Sequence, residues 1–221
     1  MVPSKITVEF FYDVVSPYSW IAFEVLCRYK VKWGLDLQWR PFFLGGIMKE
    51  SGNNPPAFVA NKALYMRQDL KRLADYTKIP VCIPENFSEI MSNTLGTQRF
   101  ITAVDIKYPQ YTEQLSRQFW MKIFKTFEDV TQVESMKETA KEIGMKDSEV
   151  EDAAAKITAK ETKDRLREFT EKGLNYGGFG SPLIVAHINS KPEMFFGSDR
   201  FELLAHVMGK KWDGPRAGSN L

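Results

Sequence analysis

The sequence has little of what several large functional classes require. Only two of its 221 residues are cysteine, Cys27 and Cys82, too few for a disulfide framework and too far apart for a clustered metal site. A reducing intracellular compartment is the simpler reading. Neither sign of charge is in excess. Thirty Lys and Arg against 28 Asp and Glu leave +2, too balanced for an electrostatic nucleic-acid binder. No apolar run approaches the roughly 18–20 residues that cross a bilayer, so no membrane span is expected. Met1 to Lys5 lack a signal peptide's apolar stretch, and Glu9 and Asp13 argue against an acid-poor transit peptide. Histidine is scarce too, and His187 on a strand and His206 in a helix's apolar pattern are read as structural. What remains is ordinary globular material. Its 43% apolar content is enough to bury a real core, in one large domain or two small ones.

The N-terminal third reads as strand, helix, strand. Ile6 to Tyr12 is β-branched and aromatic. After Ser16-Pro17 an amphipathic stretch carries Trp20, Phe23, Leu26 and Cys27 at helical spacing to about Trp33, with Gly34 as its cap. Leu35 to Arg40 alternates with period two, which completes a βαβ unit with a right-handed crossover. Gly45 to Pro56 reads as a turn-rich loop. The chain then becomes helical to about Tyr176. Leu64, Leu70 and Leu73 mark one helix ended by Ile79-Pro80, and Leu115, Phe119, Ile123 and Phe127 mark one face of another. Thr131 with Glu134, and Ser148 with Glu151, have capping-box spacing. Glu142–Lys146, Glu161–Arg165 and Glu168–Lys172 are i,i+4 pairs, read as a solvated helical face. Past Tyr176 strands return. Leu183 to Ile188 and Met194 to Phe196 flank a turn, and Gly197-Ser198-Asp199 opens a last helix to about Met208. The expected fold class is therefore α/β, a thioredoxin-like βαβ…ββα unit (1–62 and 177–221) interrupted by an all-helical insertion (63–176).

The chemistry is clearest in Ser16-Pro17-Tyr18-Ser19, at the start of a helix that follows a strand. Serine is a favoured N-cap and proline a favoured first helical residue, so alone the tetrapeptide is only a good helix start. In a βαβ…ββα chain, however, this is where thioredoxin folds carry Cys-x-x-Cys, and serine for both cysteines gives the Cys-Pro-Tyr-Cys of glutaredoxins. Ser181-Pro182 precedes the strand expected opposite, where those folds hold a cis-proline. Without a thiol pair the site cannot cycle through an internal disulfide. A hydroxyl at a helix N-terminus can still bond a bound thiolate, and a preference of 1.36 kcal/mol lowers a thiol pKa by about one unit from near 8.5. Such a site activates the sulfur of a bound thiol.

Over nearly its whole length the sequence resembles the kappa-class glutathione transferases. The resemblance is carried by Glu9 to Trp20, by Gly46 to Asn53 with Pro55-Pro56, and by Tyr176 to Pro182. Val185-Ala186-His187 and Phe196 to Arg200 continue it. It implies a DsbA-like arrangement and a homodimer that conjugates glutathione to small electrophiles, with peroxidase activity in some members. Glutathione is then a co-substrate, with no permanently bound cofactor and no metal. By motif, Ser16 bonds the glutathione sulfur, with Pro17 and Tyr18 lining the pocket. Ser181, before Pro182, pairs its backbone with the cysteinyl unit, although an apolar residue is expected at that position. Ser198 and Asp199 match the γ-glutamyl binders, where plain helix capping is the competing explanation, and Asn53 and Lys62 match positions near the glycyl carboxylate. Cys27 reads as an inert core thiol. The last residues, Ser219-Asn220-Leu221, approximate a peroxisomal address, with the mitochondrion as the other location relatives use. Two competing functions are a glutathione-dependent 2-hydroxychromene-2-carboxylate isomerase, whose family shares the Ser-Pro start, and a non-enzymatic DsbA-like folding or assembly factor.

Overall fold

The computed structural model describes residues 5–217, so the tail Ser219-Asn220-Leu221 lies outside the described residues. Four strands form one mixed sheet: β1 (Ile6–Tyr12), β2 (Leu35–Pro41), β3 (Leu183–Ile188) and β4 (Lys191–Phe196), in the order β2-β1-β3-β4. β1 runs parallel to β2, with Ile6 opposite Leu35, and antiparallel to β3, with Phe10 opposite Ile184. Side chains on the central strands alternate between faces. Val8, Phe10, Tyr12, Ile184 and Ala186 enter the main core, while Phe11, Leu183 and Val185 pack on the other face against Phe42, Ile47 and Phe169.

Ten α-helices occur among the described residues. α1 (Pro17–Tyr29) joins β1 to β2, α2 (Leu44–Ser51) follows β2, and α10 (Phe201–Val207) follows β4. Between the strand pairs lie α3 (Ala60–Thr77), α4 (Phe87–Asn93), α5 (Leu95–Lys107), α6 (Thr112–Met121), α7 (Val133–Glu142), α8 (Asp147–Ala155) and α9 (Lys160–Asn175). α3 to α8 share the main core with the sheet, and α9 packs on its other face through Phe169. Phe23 packs against Trp39 at 4.6 Å and Trp120 at 4.8 Å between ring centroids, and Tyr12 meets Trp120 at 5.2 Å. Among the described residues no helix is long and apolar enough to cross a membrane.

Several local expectations need correction. α1 stops at Tyr29, short of Trp33. Trp33 is buried because it packs on Tyr29 and donates its Nε1–H to the Lys211 carbonyl at 2.9 Å, not because the helix continues. The segment read as a loop from Gly45 contains α2. Its paired glycines are there for close approach: a Cβ on Gly45 would sit 2.7 Å from the Phe43 ring, and one on Gly46 3.2 Å from the Thr170 methyl. Leu115, Phe119 and Ile123 are buried as expected, but Phe127 is half exposed. A π-type turn over Lys122–Thr126 widens the spiral and throws Phe127 off the four-residue stripe.

Neither capping box forms where the spacing put it. Thr131 turns to Asp129, and α8 begins two residues early, with Glu149 accepting from the Lys146 amide at 3.0 Å. The i,i+4 charges also find other partners: Glu142 meets Lys122, Arg165 meets Glu168, and Lys172 reaches Glu9. Exposed local pairs are weak enough to be exchanged: Glu142 and Lys172 go to tertiary partners, and Arg165 to a neighbour three residues on along its own helix. α10 begins at Phe201 behind Arg200, so Ser198 and Asp199 lie in the preceding loop and do not cap it. His206 faces solvent, off the apolar face on which the pattern placed it.

Candidate thiol-binding site

The site begins where β1 ends. Asp13, 2% exposed, accepts from the Val15 amide at 3.1 Å and from the Leu44 amide at 3.0 Å, which ties the β1–α1 loop to the start of α2. Burial pushes its carboxyl up to about 6, against the pull of those two amides. Gln98 of α5 holds the same loop by accepting from the Val14 amide and donating to the Tyr12 carbonyl. The next residue to matter, Ser16, is therefore anchored from three elements.

Ser16 is the N-cap of α1. Its backbone is extended, with φ −91° and ψ 114°, and its hydroxyl oxygen accepts from the Ser19 amide at 3.2 Å. The same hydroxyl donates to the Ser181 carbonyl at 3.3 Å. Ser181-Pro182 is a cis peptide, as expected. Ser181 brings its own hydroxyl within 2.6 Å of that of Ser19, so a polar residue at this position has a partner. The Pro182 carbonyl accepts from the Gly197 amide at 3.1 Å, which draws the loop bearing Ser198 and Asp199 beside α1. At Gly197 φ is +99°, and a Cβ would lie 2.8 Å from an Asp199 carboxylate oxygen.

Over this floor lies a cavity of about 400 Å³. Of the residues expected in the site, Tyr18, Asn53, Ser181, Ser198 and Asp199 line it. Ser16, Pro17 and Pro182 are buried outside its lining, and Ser16 communicates with it through Ser181. Asn53 is fixed by donating to the Phe179 carbonyl at 2.7 Å. Lys62 does not line the cavity. It is exposed on α3, three and seven residues before Tyr65 and Asp69, so it shares their helix face.

Sequence reading missed Met48, Tyr65, Asp69 and Leu73 in the walls, and the pairing of Ser19 with Ser181. The signal for the α3 wall was present as the stripe 62, 65, 69, 73. Tyr18 donates to Asp69 at 3.0 Å and joins that wall to α1. Burial, reinforced by Asp69, raises the Tyr18 hydroxyl pKa well above its ordinary value. Of the two thiols, Cys27 packs against the core, and burial keeps it protonated far above the usual thiol range. Cys82 is exposed after α3.

A hydroxyl and unpaired amides at a helix N-terminus favour an anion. The extended backbone at Ser181 can take a peptide-like partner as an added strand.

Comparison with known proteins places the chain in a family. The family model described as DSBA-like thioredoxin domain matches residues 7–209. Glutathione S-transferase kappa 1 of Homo sapiens is 45% identical over 97% of this chain and 96% of its own. Its counterpart in Rattus norvegicus is 42% identical over the same shares. Among solved structures, a 2-hydroxychromene-2-carboxylate isomerase superposes with a TM-score of 0.75 at 22% identity, covering 92% of this chain and 94% of that one.

Proposed function

The chain belongs to the DsbA-like thioredoxin family and, within it, to the kappa-class glutathione transferases, and from that membership we propose how its site activates glutathione. Ser16 holds the glutathione sulfur as a thiolate. Its hydroxyl turns from the long 3.3 Å bond to the Ser181 carbonyl toward the sulfur, while its oxygen keeps the Ser19 amide. The α1 N-terminus adds up to ~2 kcal/mol of anion preference in a partly buried site, and with the hydroxyl this lowers the thiol pKa by about one to two units. The thiolate then attacks an electrophilic carbon. A carbon–sulfur bond forms, and either a leaving group departs with its electron pair or a proton adds at the neighbouring carbon. Ser181 pairs with the cysteinyl backbone, Ser198 and Asp199 take the γ-glutamyl end, and Asn53 and Lys62 take the glycyl carboxylate. With a hydroperoxide as acceptor, two glutathiones leave as the disulfide with an alcohol and water. The working unit is a homodimer.

The observation that carries this reading is the Ser16 hydroxyl, N-capping α1 and bonded to the cis Ser181-Pro182 segment beneath a cavity lined by Tyr18, Asn53, Ser181, Ser198 and Asp199. The isomerase is the second reading, favoured by the structural likeness and by relatives named 2-hydroxychromene-2-carboxylate isomerase at 24% identity. In that chemistry the thiolate would add and leave again without net consumption.

The test is thermal unfolding with reduced glutathione alongside a conjugation assay of wild type and Ser16→Ala. At a hundredfold excess over Kd the ligand stabilises by about 2.7 kcal/mol, a rise of roughly 5–10 °C for a chain of this size. No shift and no conjugation would overturn the reading. Conjugation undiminished in Ser16→Ala would remove Ser16 from the chemistry.

A further inference from the structure

α3 supplies one wall of the cavity through Tyr65, Asp69 and Leu73. Asp69 is half-buried there and held by hydroxyls, not by a cation. One carboxylate oxygen accepts from Tyr18 at 3.0 Å, the other from Tyr65 at 3.4 Å. Both phenols are used as donors, so Tyr18, two residues from Ser16, does not have its proton free for an incoming substrate. Each carboxylate oxygen keeps a lone pair, and the charge stays in the wall. Among the described residues that line the cavity there are two carboxylates, Asp69 and Asp199, and no Lys or Arg. Lys62, on the same face of α3, stands outside the lining. In the glutathione pose proposed above Asp199 meets the γ-glutamyl ammonium, which leaves Asp69 without a positive partner.

We infer that Asp69, clamped by Tyr18 and Tyr65, sets the charge preference for the second substrate: neutral or cationic electrophiles are accepted, and carboxylate-bearing ones are disfavoured. This rests on the proposed glutathione site and deepens it. A second substrate approaching sulfur at Ser16 comes past Tyr18 and the carboxylate bonded to it. In a cavity partly shielded from water, a like charge a few ångströms away is repelled strongly enough to decide between acceptors of equal shape. The same repulsion acts on the substrate of the isomerase relatives, which is a carboxylate by name. Asp69 thus tilts this pocket toward conjugating uncharged electrophiles.

The experiment compares kcat/KM for a chlorodinitrobenzoate and for its methyl ester, which differ in charge at one position of the same ring. Asp69→Asn keeps the shape and a hydrogen-bond acceptor. It should raise the acid-to-ester ratio by about tenfold, the scale of one like-charge contact in such surroundings. Tyr65→Phe keeps the carboxylate and should leave the ratio near the wild-type value. Added salt should raise the wild-type ratio and leave that of Asp69→Asn flat. Melting curves establish that both variants are folded.

An unchanged ratio in folded Asp69→Asn overturns the inference. So does an equal shift in Tyr65→Phe, which would make the effect one of shape. A rise in glutathione KM with no change in ratio would reassign Asp69 to glutathione. Failure of wild type to conjugate either compound, with no thermal shift on adding glutathione, would instead overturn the proposed function beneath it.

Discussion

Glu9 lies on the central strand with its side chain only 3% exposed, and it joins four elements. It accepts from Arg40 Nε of β2 at 2.8 Å and from the Tyr176 hydroxyl beyond α9 at 3.0 Å. Lys172 of α9 and, at 3.0 Å, His187 Nε2 of β3 complete the set. Burial acts to raise its pKa, but the bonds from Lys172, Arg40 and His187 outweigh burial and hold the carboxyl at about 2, against 4.5 unperturbed. At 1.36 kcal/mol per unit this is a contribution of roughly 3 kcal/mol.

Because the folded pKa is depressed, that stability is fully present above the unfolded pKa and is lost as pH falls through the folded one. Glu9→Gln should therefore be less stable than wild type by roughly 3 kcal/mol at pH 7, or about 6–12 °C in Tm. The gap should close between about pH 5 and pH 2. Urea unfolding of both proteins across that range measures it. A gap of equal size at pH 7 and at the acid end would refute the reasoning, since it would come from packing and not from the charge. The consequence reaches the site, because these bonds fix the end of α9 and with it the chain leading into Gly177 to Pro182.

Asp13 should act with the opposite sign. Its folded pKa is raised by burial from 3.8 to about 6, so stability from this group is present below the unfolded value and lost as pH rises through 6. Asp13→Asn loses one of the two amide bonds at every pH, because its NH2 cannot accept. Its stability relative to wild type should still rise by up to about 3 kcal/mol from pH 4 to pH 7, read by the same unfolding series. Trp120, whose buried Nε1 has no partner, tests the shared core. Trp120→Ala should cost about 3–5 kcal/mol and Trp120→Phe much less, by denaturant unfolding. Ser19→Ala removes the partner of the Ser181 hydroxyl. Conjugation kinetics should show a higher KM for glutathione with kcat affected less, since Ser19 orients the segment and does not touch sulfur.

The parts of this molecule legible in its sequence were those dictated locally. The run Ile6 to Tyr12 forms β1, Ser16-Pro17 starts α1, and the alternation from Leu35 forms β2. The cis bond before Pro182 came through resemblance, because nothing local requires it. Local rules failed where tertiary partners decided. Gly45-Gly46 looked like a break, and only Phe43 and Thr170, the latter on a helix more than a hundred residues away, show why glycine is needed inside α2. Ser198 and Asp199 looked like a helix start, but the Pro182 carbonyl holds the turn before them and α10 waits for Phe201. Asp69 shares a helix face with Lys62 in the sequence, but only the bond across 51 positions, from Tyr18, ties that face to the site.

The claim that Ser16 and the start of α1 turn bound glutathione into a thiolate is tested most directly by titrating that thiol in the complex through its ultraviolet absorbance. In wild type the midpoint should lie about one to two units below the ordinary thiol value near 8.5, and Ser16→Ala should return most of that shift. A bound thiol that titrates at its ordinary value, or equally low without the Ser16 hydroxyl, would contradict the account.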